Sequence, residues 1–369
     1  MNQSTTYRVG MIGVGRMGTT HARGYKFHPR TEVVAATDTD SENLTLFCER
    51  FGVPGYSDFR DMLRNERIDI AAPVLPVRAN VETVLGCVNA GVKAVFCEKP
   101  FAATLADADR MVEQCRLTNT AFSVGYVQRN YPQLWSARDL INSGELGAPL
   151  YVDLYHNLNQ IGCQWQPVVN LFAGDAEVEY VVGEVEGDAF SDEQALMKGV
   201  GGLIKFANGM DCYAHYRSGA KSGVEVVCER SVFSYDGHSF RLCPTAEGEL
   251  SGGALIEEKP EVFASRDRSE TYDDDGWLLP TQQSLDAHVQ SIVDALDHGT
   301  EPRASGADML RAMEITIALR ESARRGHVPV ALPLEDRELT VKPVPKRWDY
   351  KKELMGREWY MEQLARHMR

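Results

Sequence analysis

The sequence predicts an α/β chain in two parts, a doubly wound parallel sheet and then an α/β domain built on a mostly antiparallel sheet. Three observations carry that prediction. From Tyr7 to about Gln128, short β-branched runs alternate with helical patterns, as parallel βαβ units do. A glycine-rich turn follows the first of those runs directly and opens a helix. After Ser143-Gly144 the texture changes, and strand follows strand with tight turn pairs between them. At 369 residues the chain is also too long for one ordinary core, since domains run to about 150 residues.

In the first part the strands are Val9 to Ile12, Glu32 to Thr37, Ile68 to Val74, Ala94 to Cys97 and Ala121 to Gly125. Ala79 to Ala90 and Thr104 to Arg116 are long and periodic enough for crossover helices. In the second part the strands are Leu150 to Tyr155, Glu177 to Val185, Gly202 to Phe206, Met210 to Tyr216, Val224 to Cys228 and Ser231 to Tyr235. Asn208-Gly209 and Asp236-Gly237 sit between such runs, and these pairs accept the positive φ of tight hairpins. Pro244 to Asp275, thick in Gly, Asp and Ser, reads as a long surface loop. A helix resumes over Thr281 to His298, where Leu285, Val289, Ile292 and Leu296 recur at helical spacing. Another runs from Ser305, as N-cap, to about Arg325, with Gly326 as its stop.

The resulting division is 1–128, 129–335 and a C-terminal arm, 336–369. The arm carries nine Lys plus Arg against six Asp plus Glu, together with Trp348, Tyr350, Trp359 and Tyr360. It suits docking on an acidic neighbouring subunit or packing on its own domain.

Hydrophobic residues at 43% and charged residues at 25% are those of an ordinary folded protein and exclude a disordered chain. The net charge of -14 opposes binding to nucleic acid or to an anionic bilayer, so neither is an expected partner. No apolar run reaches the ~18 residues of a membrane span, and the polar start Met1 to Thr6 has no basic leader region. A cytoplasmic protein is expected. The eight cysteines are scattered without a CxxC pair, which fits reduced thiols and not a zinc site or disulfide framework. No HExxH occurs and Asp273-Asp274-Asp275 reads as a solvated loop, so no metal is expected.

Gly13-Val14-Gly15-Arg16-Met17-Gly18 is the chemistry-bearing motif of the first part. The first glycine permits a tight turn, the second lets a pyrophosphate approach the backbone, and the third allows close packing of helix on strand. Amide N–H groups at the helix start would hold the phosphates. Twenty residues beyond Gly18, at the end of the second strand, stands Asp38. A carboxylate there accepts hydrogen bonds from the ribose hydroxyls and repels a 2'-phosphate, which favours NAD over NADP. The competing reading makes Asp38 only a cap for the next helix, a role open also to Asp40 and Ser41.

Cys97-Glu98-Lys99-Pro100 closes the Ala94 to Cys97 strand. Taken with the glycine turn, Ala90-Gly91 and Gly144-Glu145-Leu146-Gly147, it resembles the glucose-fructose oxidoreductase, inositol dehydrogenase and rhizopine-catabolism (Gfo/Idh/MocA) family of oxidoreductases over about residues 7 to 335. The resemblance implies a Rossmann domain, then an α/β domain whose open sheet mediates dimers or tetramers. It implies hydride transfer between NAD(P) and a sugar, cyclitol or related polyol. It places Lys99 beside the nicotinamide and the reacting carbon, where a partly desolvated ammonium exchanges a proton with an alcohol. Glu98 would orient the coenzyme, Leu75-Pro76 would line the nicotinamide side with Asn80 where the family has a His, and Arg129 would hold a substrate oxygen. A solvated arginine at a helix entry is the plain alternative for Arg129.

The family's Asp, His and second Asp at the start of a helix in the second domain fall here on Gln160, Gln164 and Pro167. Glutamine binds substrate hydroxyls but does not relay protons. Either Lys99 works alone or another group, His156 or Tyr126, takes the second role, or the family reaction is lost. Trp165, like Trp135, offers a flat face of the kind sugars stack on, or a core residue. Three functions are therefore carried forward, in order: an NAD-dependent dehydrogenase of a sugar-like substrate, an NAD-retaining glycosidase acting through transient sugar oxidation, and a non-catalytic NAD-binding scaffold.

Overall fold

The computed structural model describes residues 5–126, 128–158, 165–186, 199–217, 221–236, 240–244, 279–340 and 356–367. Two compact units form: Met1–Asn130 with Glu270–Ala307 and Val344–Arg369, and Tyr131–Ser269 with Asp308–Pro343.

The first unit runs β1 (Tyr7–Ile12), α1 (Arg16–Phe27), β2 (Thr31–Thr37), α2 (Ser41–Phe51), β3 (Gly55–Tyr56), α3 (Phe59–Asn65), β4 (Ile70–Pro73), α4 (Val77–Asn89), β5 (Ala94–Cys97), α5 (Leu105–Leu117) and β6 (Ala121–Val124). Its six strands are ordered β3-β2-β1-β4-β5-β6, and every pairing is parallel. Strands of such a sheet are covered on both faces and so read as unbroken apolar runs; all four residues of β4 and of β5 are buried. Side-chain caps fix three of the helix starts in this unit, those of α2, α3 and α5. Asp40 accepts from the Glu42 and Asn43 amides ahead of α2, and Thr104 accepts from the Asp107 amide ahead of α5.

The first unit also recovers chain from much later in the sequence. α8 (Leu279–His298) belongs to it, and Val289, Ile292 and Val293 share a core with Val9, Met11, Tyr25, Ile70 and Phe96. The close approach of α8 to α1 is made possible by Gly24, where a Cβ would stand 3.0 Å from that of Leu285. The final helix, α10 (Arg357–His367), belongs here too, and Tyr360 joins the same core. Within residues 356–367 the arm therefore packs on its own unit.

The second unit contains α6 (Pro132–Asn142), β7 (Pro149–Tyr155), α7 (Gln166–Phe172), β8 (Val178–Val185), β9 (Val200–Phe206), β10 (Asp211–Ala214), β11 (Gly223–Cys228), β12 (Ser231–Tyr235), β13 (Phe240–Pro244), most of α9 (Gly306–Arg324) and β14 (Val330–Ala331). The eight strands are ordered β13-β12-β11-β7-β10-β9-β8-β14. Only β7 and β10 pair in parallel; the remaining pairings are antiparallel. Asn208-Gly209 turns between β9 and β10 as expected, with φ of +90° at Gly209 and the Met210 amide donating to Asn208 Oδ1 at 3.1 Å. α9 lies backbone-to-backbone on β8, for a Cβ at Gly183 would come within 2.0 Å of the Leu319 carbonyl.

Cys48, Cys87, Cys97, Cys115, Cys212, Cys228 and Cys243 are free thiols; Cys163 and the acidic run Asp273 to Asp275 lie outside the described residues. Among the described residues no helix is long and apolar enough to cross a membrane, and no group of three His, Cys, Asp or Glu is placed to hold a metal.

Candidate coenzyme and active site

In the first unit the polar residues singled out by the sequence converge at the C-terminal ends of the parallel strands. The strand order reverses direction between β1 and β4, and ligands of open α/β sheets bind at such a switch point. The glycine turn is tied down on both sides: the Gly13 amide donates to the Thr37 carbonyl at 2.8 Å and the Val74 amide to the Ile12 carbonyl at 2.7 Å. Gly13 has φ of +84°, and a Cβ there would meet the Val74 carbonyl at 2.6 Å and Leu75 at 2.8 Å. At Gly18 a Cβ would fall 1.9 Å from the Gly13 carbonyl, so both outer glycines are required by packing alone. Gly15 differs, since its added Cβ would reach nothing closer than the Tyr360 hydroxyl at 3.5 Å. Gly15 is also the N-cap of α1, with no side-chain cap and no acidic residue in the first turn. An open backbone position at an uncapped helix start fits a pyrophosphate. Arg16 and Met17 supply the first helical amides.

Asp38 lies beside the glycine turn. Its Oδ2 accepts from the Val14 amide at 2.8 Å and its Oδ1 from the Asp40 amide at 2.8 Å. The carboxylate is thereby aimed at the glycine turn, and a carboxylate oxygen can accept more than one hydrogen bond. Asp40, and not Asp38, caps α2, which separates the two readings of this acidic stretch.

Leu75 and Pro76 follow β4, with Pro76 as N-cap of α4. Asn80, expected to line the coenzyme, has its Nδ2 donating to the carbonyls of Pro100 and Phe101, both at 3.2 Å. In the described geometry it shapes the loop after β5. That loop carries Glu98 and half-buried Lys99, and its Lys99-Pro100 bond is cis. The Glu98 carboxylate lies over Gly125, where a Cβ would stand 2.0 Å from Oε2. Glu98 Oε2 is also 3.5 Å from Nε2 of His21, a buried residue of α1.

His21 belongs to an interior cluster for which no residue spacing is a signal. The His21 and Phe96 rings are 4.6 Å apart, and Phe96 meets His288 of α8 edge-on at 4.7 Å. Nδ1 of His288 pairs with the Asn130 amide group at 3.1 Å, and complete burial pushes the His288 imidazole down to about 3. Arg129 is buried in this unit with its Nε donating to the Arg303 carbonyl at 2.8 Å. This burial sets aside the alternative of a solvated arginine, and the expected hold on a substrate oxygen stays a proposal. Tyr126 is buried as well, and its carbonyl accepts from Asn130 Nδ2 at 3.0 Å.

In the second unit, His156 and Trp165 lie together with ring centroids 5.4 Å apart, and Tyr235 flanks Trp165 at 6.0 Å. His156 Nδ1 is 3.0 Å from the Asn157 carbonyl; a carbonyl accepts only, so Nδ1 is the donor and Nε2 the basic nitrogen of the neutral ring. Pro167 is buried in the first turn of α7. Gln160 and Gln164 lie outside the described residues.

Comparison with known proteins agrees with this fold. Residues 7–126 match the family described as "Oxidoreductase family, NAD-binding Rossmann fold" (Gfo/Idh/MocA). The chain is 24% identical over 335 residues to myo-inositol 2-dehydrogenase of Thermotoga maritima, covering 85% of this chain and 96% of that one. It is 27% identical over 338 residues to inositol 2-dehydrogenase of Rubrobacter xylanophilus, covering 86% and 91%. Among solved structures, a levoglucosan dehydrogenase in complex with NADH and levoglucosan shares the fold with a TM-score of 0.69 at 19% identity, covering 89% of this chain and all of that one (100%). The family match and these relatives support the Gfo/Idh/MocA oxidoreductases as the kin of this chain, and its first unit is an NAD-binding Rossmann domain.

Proposed function

We propose that the protein is an NAD-dependent dehydrogenase of a sugar, cyclitol or related polyol, with Lys99 as the group that exchanges the hydroxyl proton. The observation that carries this reading is the convergence, at the C-terminal strand ends of one parallel sheet, of the glycine turn, Asp38, Leu75-Pro76 and the Glu98-Lys99 loop. Bound NAD supplies the hydride acceptor. The chain's own residues do the rest. The amides at the start of α1 hold the pyrophosphate, Asp38 accepts from the ribose hydroxyls, and its negative charge disfavours a 2'-phosphate. Glu98, seated over Gly125, fixes the loop that carries Lys99. In the oxidative direction the substrate hydroxyl loses its proton to Lys99 Nζ as the C–H bond breaks; in the reductive direction Nζ returns it. Within the second unit, Trp165 with its flat aromatic face and His156 with its ring nitrogen are the candidates for holding a hydroxylated ring, since the family's Asp and His are replaced. The names of the relatives, inositol 2-dehydrogenases and a levoglucosan dehydrogenase, support a cyclic polyol and make myo-inositol the first compound to test.

The test is a screen of cyclitols, aldoses and ketoses with NAD and NADH, followed at the NADH absorbance band, with Lys99→Ala beside the wild type. The expected result is substrate-dependent change in the wild type and a fall of at least ~100-fold in turnover for Lys99→Ala, with NADH affinity preserved. Full turnover in that variant removes Lys99 from the reaction. Sugar release without net NADH formation points instead to a glycosidase that retains its coenzyme.

A further inference from the structure

The open position at Gly15 is bounded, beyond the turn itself, by the C-terminal helix and by α2. The nearest atom beyond the turn is the hydroxyl of Tyr360. Tyr360 is 9% exposed, and its ring joins the core beside Val14 and Phe47, yet its polar end is turned toward the glycine turn. Asn43 of α2 completes that wall. Its Nδ2 donates to the Tyr360 hydroxyl at 3.5 Å, and its Oδ1 is buried with no hydrogen-bond partner among the described residues, although Asn43 is 6% exposed. Buried polar atoms are rarely left unmatched, and an unmatched one beside an uncapped helix start marks the side of a ligand site. The third observation fixes the helix in place. Arg357 Nε donates to Glu42 Oε2 at 2.9 Å, and its Nη2 is 3.5 Å from Asp40 Oδ1, two residues beyond Asp38. A helix held only by apolar packing needs neither the inward phenol nor this anchor on the ribose side.

We propose that α10 is part of the coenzyme site: Tyr360 donates a hydrogen bond to the pyrophosphate over Gly15, and Arg357 latches the helix to the acidic start of α2, so that the helix slows coenzyme release. The inference rests on NAD binding at the glycine turn. A phenol is a strong neutral donor to an anionic oxygen, and from the far end of the chain it reaches the open side of Gly15.

The test uses the full-length protein. Binding and release of NADH are measured by coenzyme fluorescence and stopped flow for the wild type, Tyr360→Phe and Arg357→Ala, with ADP-ribose and adenosine as displacing probes. Tyr360→Phe keeps the ring and its packing, so the coenzyme-free melting temperature controls for folding. Loss of one hydrogen bond to a charged group predicts that Tyr360→Phe weakens NADH and ADP-ribose by roughly tenfold with faster release, while adenosine is unaffected. Arg357→Ala is expected to speed release by about threefold, the scale of an exposed ion pair. Unchanged NADH affinity and release in Tyr360→Phe overturn the proposal, and so does tighter binding, which would mean that the phenol occupies the place of the pyrophosphate. A wild type that binds neither NADH nor ADP-ribose overturns the coenzyme reading itself.

Discussion

Single atoms decide most at Gly125. A methyl group there would land 2.0 Å from Glu98 Oε2 and 3.1 Å from the Phe96 ring, and the nearer obstacle is the far end of a side chain that can swing away. Gly125→Ala should therefore cost little stability but move the Glu98 carboxylate off its seat, along with the loop that carries Lys99. A displacement of about 1 Å near the reacting atoms costs up to ~100-fold in rate. The expected outcome is a protein that melts near the wild-type temperature and turns over far more slowly, partly restored by the shorter carboxylate of Glu98→Asp in the same background. Wild-type turnover in Gly125→Ala would show that the seat of Glu98 is immaterial. Residues of this kind divide sharply in how far the sequence discloses them. The three glycines of the turn and Asp38 are legible because their chemistry acts over a fixed local spacing. His21, Asn43 and Tyr360 are not, because each acquires its meaning from an atom brought in from another element, Glu98 for the first and the glycine turn for the last two.

At the scale of elements, α8 is the informative case. Its periodicity is plain in the sequence, and Leu285, Val289 and Ile292 are buried as that pattern implies. Its place is not readable from linear order, since a helix that follows the strands of a second unit returns to the core of the first. Three strands are missed in the sequence: β13, at the end of its sheet, and β3 and β14, which have two residues each, too few for any alternation to register. Burying α8 also has a consequence for pH. His288 is neutral in the folded unit because burial first, and then the neighbouring His21, lower its imidazole from 6.5 to about 3. Unfolding restores the ordinary value, so below about pH 6.5 the unfolded chain binds a proton that the folded one refuses. This contribution to stability is complete above that pH and shrinks as pH falls toward 3, by about 1.4 kcal/mol for each unit. Urea unfolding at about pH 7.5 and 5.5 should show a steeper loss for wild type than for His288→Gln, by about 1.4 kcal/mol. Parallel losses in the two proteins would mean that His288 titrates as if exposed.

For the whole molecule the open question is what covers the eight-stranded sheet. Along β7, β10 and β11 one face is closed: Val152, Leu154, Cys212, Ala214, Val224 and Val226 are buried. The alternate residues form the other face, and register sets Tyr151 beside Asp211 and Val227, and Asp153 beside Tyr213 and Glu225. Tyr151 and Tyr213 meet edge-on at 5.9 Å, with Tyr213 left 42% exposed. A chain of net charge -14 should repel its own copy, yet on this face the acids are matched. Asp153 is 2.7 Å from His215, Asp211 is 2.7 Å from Lys205, and Glu225 is 2.8 Å from Lys221. An aromatic surface with paired charges has the composition of an interface, and a two-fold axis through it would set each tyrosine pair against its counterpart. A homodimer or homotetramer through this sheet is the expected state, to be measured by light scattering. Tyr213→Glu places an unmatched charge at the centre of the face and should lower the measured mass, while NADH affinity, set in the other unit, stays the same. A wild type that scatters as a monomer would leave this face without an occupant and remove the argument for assembly.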